Sequence, residues 1–68
     1  MNKNQLRSVM MLHGDNNGKL AEYLGISESR FSAKLNETNG AEFNQGEIFK
    51  IKQKYDLSAN EIDAIFFN

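Results

Sequence analysis

The residues best placed to do chemistry in this chain are small and uncharged. In LAEYLGISESRFSAKLN (Leu20–Asn36), Ser29, Ser32, Ala33 and Asn36 recur at the i, i+3, i+4, i+7 spacing of one helix face, with Ser27 just ahead of them. Serine hydroxyls donate and accept, and asparagine does both from separate atoms. Such a row suits directional hydrogen bonding to a polar surface rather than proton transfer or nucleophilic attack. It is also how an ordinary solvated helix face reads, so its meaning depends on the residues that position it. Other reactive groups do not assemble into a site. His13 is the only histidine and there is no cysteine, which argues against a nitrogen- or thiolate-rich metal site. His13 reads as a helix-end residue, favourable to a negative helix terminus when charged. GDNNGK has the composition of a phosphate loop. It is one residue short of the Walker spacing, though, with Leu20 at the Ser/Thr position and no strand before it. Asp56, Glu61 and Asp63 read as a solvated acidic face. Without a Ser–His–Asp order or a paired-acid pocket, neither an enzyme nor a cofactor is expected.

The elements around the row are helical. Leu6, Val9 and Met10, with Leu12, space a first helix over 4–13, and Gly14 offers its left-handed end. Asp15 or Asn16 caps a second helix over 17–24, whose apolar stripe is Leu20, Ala21 and Leu24. Gly25 stops it, Ile26 plugs the turn, and Ser27 caps a third helix over 28–36 with Phe31 and Leu35 inward. Asn44 with Glu47, and Ser58 with Glu61, are capping-box pairs. They open helices over 45–55 (Ile48, Phe49, Ile51, Tyr55) and 59–66 (Ile62, Ile65, Phe66). IFKIK also alternates as a strand would, but the Asn44 cap favours helix. The expectation is an all-α, five-helix domain spanning residues 1–68, without repeat or linker.

A chain of 68 residues builds a thin core, burying only roughly 60% of its unfolded surface. No apolar run approaches the roughly 18 residues of a membrane span, and VMMLHG is too short for a signal segment, so a soluble intracellular protein is expected. The net charge of −1 and pI of 5.7 argue against strong non-specific nucleic-acid binding. The charge is unevenly placed. Residues 1–35 carry five basic against three acidic side chains, and residues 36–68 carry three against six. Only the front half is suited to meet an anion.

Two short helices joined by a tight glycine turn make a helix-turn-helix, here about 17–36. Ala21 permits close crossing and Gly25 a positive φ. LAEYLGIS…RFSAKLN resembles the helix-turn-helix of the Cro/repressor-type, lambda-repressor-like DNA-binding domains of phages (the xenobiotic-response-element group). SAKLN and EFNQGEIFKI resemble small Cro-like proteins of phages and prophages of Gram-positive bacteria. The resemblance implies an operator-binding transcriptional repressor in the bacterial cytoplasm, on double-stranded and palindromic DNA. It also implies residue roles. Asn17 and Asn36 would touch phosphates, Ser27, Glu28 and Ser29 would read bases, and Ser32 and Ala33 would face the groove floor. Lys19 and Arg30, with Arg7, either hold phosphates or are merely solvated. Glu28 departs from the family pattern: it either accepts from cytosine N4 or turns aside to a neighbour. Lys34 stands where a larger apolar residue is frequent, and its stem is expected to snorkel over the core edge. Glu37 replaces the glycine often found after Asn36.

Adjacent Phe66 and Phe67 cannot both enter one core. A weak homodimer through Ile65, Phe66 and Phe67 is one reading, and two rings capping a monomeric core is the other. The rival functions are a protein-interaction module on the same fold (an antirepressor partner or antitoxin) and an accessory domain that binds no DNA.

Overall fold

Each α-helix among the described residues begins where a side-chain oxygen can accept an otherwise orphaned backbone N–H. Asn2, Asn16, Ser27, Asn44 and Ser58 do this for the N–H groups of Gln5, Lys19, Arg30, Glu47 and Glu61, at 2.8–3.2 Å. The computed structural model, which describes residues 1–67, accordingly contains five α-helices. They are α1 (Lys3–Leu12), α2 (Asn17–Leu24), α3 (Glu28–Leu35), α4 (Gln45–Tyr55) and α5 (Ala59–Phe66), with a 3-10 turn at Thr38–Gly40. No strand occurs among the described residues, and IFKIK lies within α4. Both capping boxes form: Glu47 and Glu61 each accept the N–H of their cap residue at 2.9 Å. The cap at Asn2 starts α1 one residue earlier than its apolar spacing suggests.

Three helix ends share one geometry. After α1, α2 and α4, a residue with left-handed φ sends its N–H to the carbonyl three back, while the next N–H reaches the carbonyl five back. Gly14 (φ 71°) and Gly25 (φ 76°) hold that position in the first two. In the third it is Asp56, at φ 51°.

Leu6, Leu20, Phe31, Leu35, Ile51 and Ile65 are fully enclosed. Phe43 packs edge-on against Phe31 (5.5 Å between ring centroids) and against Phe66 (5.8 Å), linking α3 to α5 across the loop before α4. Phe43 and Leu57 are core residues lying outside any apolar periodicity, because each sits in a connection. Two expected core residues face water. Leu12 is 87% exposed, two positions past Met10 and so turned off the Leu6–Met10 stripe. Phe49 is 57% exposed, because the inward stripe of α4 runs through Glu47, Ile51 and Tyr55 at i, i+4, i+8 and leaves Phe49 on the far side. The Cα radius of gyration is 10.8 Å, and among the described residues no helix is long and apolar enough to cross a membrane.

Candidate nucleic-acid interface

α3 is positioned by what its inner face buries. Phe31 and Leu35 enter the core, so Ser29 points outward and is exposed, while Ser32 and Ala33 are half-buried on its flanks. None of the three is sealed inside. The Schellman-type end of α2 sets where α3 starts. The Ile26 N–H bonds to the Ala21 carbonyl at 3.0 Å, and Ile26 packs half-buried against the core beneath the turn. Buried Ala21 and Leu24 of α2 complete that wedge.

The other expected contact residues are distributed around this edge. Ser27 is exposed, and its Oγ accepts from the Arg30 N–H at 3.1 Å, which leaves the hydroxyl hydrogen free to donate elsewhere. Asn17 is the first residue of α2 and is half-buried, while its neighbour Asn16 makes the cap. Lys19 is exposed, with its ammonium 3.4 Å from the Gly14 carbonyl. Arg30 and Arg7 are exposed. Asn36 is exposed and its side chain is engaged within the protein. Its Nδ2 donates to the Ser32 carbonyl at 3.0 Å, and its Oδ1 accepts from Lys3 Nζ at 2.9 Å. That side chain closes the end of α3 and brings the Lys3 ammonium to it.

Glu28 turns aside. Its Oε1 lies 2.9 Å from where a Cβ on Gly18 would stand, so the carboxylate rests against the first turn of α2. It lies between the starts of α2 and α3, two positive helix ends that favour a negative group.

Lys34 does not snorkel. Its ammonium reaches both carboxylate oxygens of Glu47 at 2.7 Å, and the side chains are only 12% and 9% exposed. The cause is the register of α4: Glu47 lies in the stripe of Ile51 and Tyr55, and a carboxylate facing a core requires a partner. Burial pushes Glu47 upward. Hydrogen bonds from Lys34 and the Asn44 N–H, together with the charges of Lys34 and Arg30, outweigh burial and hold its pKa below the ordinary range. Nothing in the residue spacing marks Glu47 as more than a cap; only its place in the apolar stripe does.

A second polar knot fixes the turn ahead of α2. Tyr55 Oη donates to Asp15 Oδ2 at 2.6 Å, and Lys54 lies 3.6 Å from the same oxygen and 4.7 Å over the Tyr23 ring. The Tyr55 bond, with Lys54 and Lys19, lowers the Asp15 pKa against the effect of burial. Burial and Asp15 raise that of Tyr55. The His13 ring lies tilted at 45° to the Tyr55 ring, with centroids 4.8 Å apart. At the chain's other end Phe66 is half-buried and Phe67 is 68% exposed, whereas Ile65 is fully enclosed and so lies outside any contact surface.

The chain matches no family model, no curated protein and no solved structure.

Proposed function

We propose that α2 and α3 act as a helix-turn-helix of the lambda-repressor-like kind, with α3 in the major groove of an operator, and that the protein is a Cro-type transcriptional repressor. The observation that carries this reading is the outer edge of α3. Ser29 is exposed, Ser32 and Ala33 are accessible beside it, and Glu28, the one carboxylate of α3, lies beside Gly18. Short hydrogen-bonding side chains let a helix backbone approach base edges closely, and an Ala methyl suits a thymine methyl. Lys3, bonded to Asn36 at the end of α3, together with exposed Lys19 and Arg30, supplies phosphate contacts that set its register. Repression is steric, by occupying DNA that polymerase needs. A palindromic operator calls for two copies. The exposed ring of Phe67 with the half-buried Phe66 is the surface through which a weak homodimer forms. The reading places the protein on DNA in the bacterial cytoplasm and requires neither metal nor cofactor.

The test is selection of duplexes from a random-sequence pool, followed by gel shifts with Ser29→Trp. Ser29 packs on nothing in the core, so the variant folds, and its indole blocks the groove. Enrichment of a palindrome, together with a loss of at least about tenfold in Ser29→Trp, is expected from removing one base-contact position. Equal binding by Ser29→Trp removes α3 from the groove.

A second reading, a protein-interaction module on the same helices, is favoured by the exposed Phe49 and Phe67 and by the acidic back half. It predicts no enriched duplex.

A further inference from the structure

Gly18 poses a question that backbone geometry does not answer. It lies inside α2 without a positive φ, where glycine is unfavourable relative to alanine. Something other than the chain path must need the missing side chain. The space a Cβ would fill is taken by Glu28, with Oε1 at 2.9 Å and the carboxyl carbon at 3.9 Å from that point. Asn16 Oδ1 lies 3.4 Å from it, an ordinary contact that leaves Glu28 as the group a Cβ would displace.

The geometry points to a seat: Gly18 holds the Glu28 carboxylate against α2 and thereby keeps the only negative charge of α3 off the edge formed by Ser29, Ser32 and Ala33. The assignment rests on the operator reading and deepens it, making Gly18 a positioning residue for affinity and specificity. At the first position of α3, Glu28 faces outward as soon as it leaves α2, and there it meets the phosphates flanking a groove. Seated, it is drawn by two helix starts and adds no repulsion. The seat is also selective. Alanine at 18 meets the far end of a flexible side chain rather than backbone, so it expels the carboxylate without disturbing the helix pair.

The experiment compares wild type, Gly18→Ala, Glu28→Gln and the double variant. Each is titrated with a duplex that wild type selects from a random pool, and the side-chain carboxyl carbon resonance of Glu28 is followed by NMR in wild type and Gly18→Ala. Gly18→Ala is expected to weaken binding roughly two- to tenfold, the size of one like-charge approach at about 6–8 Å in a water-rich interface. The same change made on Glu28→Gln is expected to alter affinity less than about twofold, because the repulsion is absent there. The Glu28 resonance moves in Gly18→Ala, while the thermal midpoint is maintained or raised. Equal losses in both backgrounds, or an unmoved resonance, overturn the seat. If wild type selects no duplex, the operator reading falls and the specificity role with it. The resonance then still decides whether Gly18 seats Glu28.

Discussion

Lys34 and Glu47 show how much one residue position can carry. Glu47 receives the Asn44 N–H, donates its own N–H to Asn44, and neutralises Lys34, so it joins α3 to the start of α4 with one carboxylate. Replacing it by Gln leaves the Lys34 ammonium buried without a counter-charge. This should cost about 2–3 kcal/mol, a large share of what a domain of this size holds. Adding Lys34→Met to Glu47→Gln should recover at least half of the loss, because the orphaned charge goes while the cap amide stays. Urea unfolding of the three proteins measures both steps. The pH dependence has a definite sign. The folded pKa of Glu47 lies below its ordinary 4.5, so the unfolded chain binds more protons just below that pH. The stabilisation is therefore present above about pH 4.5 and is lost as pH falls through the depressed folded value. Asp15, held below its ordinary 3.8, adds a second loss of the same sign further down. Acid titration of Glu47→Gln should show a shallower decline than wild type.

At the scale of elements, the helix limits were legible because each is written in local chemistry: an acceptor at the start and a left-handed residue at the end. Asn16, Ser27, Asn44 and Ser58 fall where their hydrogen-bonding capacity predicts, and Gly14 and Gly25 where a positive φ is required. What was not legible depends on contacts between elements. Leu12 and Phe49 look like core residues until neighbouring helices decide which stripe is covered, and Phe43 looks like loop until Phe31 and Phe66 close around it. The candidate edge of α3 was readable from the position of Phe31 and Leu35. The engagement of Asn36 with Lys3 was not, since it joins residues 33 apart in the chain. The helix ends also give a prediction. Asp56 takes the left-handed position that Gly14 and Gly25 fill elsewhere, and it sets a carboxylate at the negative end of α4. Asp56→Gly should therefore stabilise by about 1 kcal/mol, visible as a rise of about 4–8 °C in the thermal midpoint. The opposite outcome is expected one residue earlier, at the last residue of α4. Tyr55→Phe removes the hydroxyl that Asp15 accepts from and should cost about 1–2 kcal/mol. Calorimetry of the two variants checks both signs.

Across the whole molecule the decisive quantity is the number of cations free to meet phosphates. The net charge of −1 conceals a basic front and an acidic back, and the structure engages one cation of each half internally. The Lys34 charge is taken up by Glu47, and Lys54 lies with Asp15 and Tyr23 in the knot beneath α2. Lys3, Arg7, Lys19 and Arg30 remain exposed on the basic front, with Lys3 anchored at the end of α3 by Asn36. Each phosphate neutralised contributes about −0.9 to the slope of log K against log salt concentration. A protomer using three cations should therefore give a slope of about −3, and a dimer on a palindrome about twice that. Within this slope the positions separate. Lys19→Gln should make it shallower by about 1, whereas Lys34→Met should leave it unchanged, because that ammonium releases no counterion when DNA arrives. Titrations of a selected duplex across a salt series measure all three slopes. A wild-type slope steeper than about −6 per protomer would mean that cations of the back half, Lys50, Lys52 and Lys54, also meet phosphates. An effect of Lys34→Met equal to that of Lys19→Gln would mean that the Lys34–Glu47 pair opens on binding and that α3 moves relative to α4.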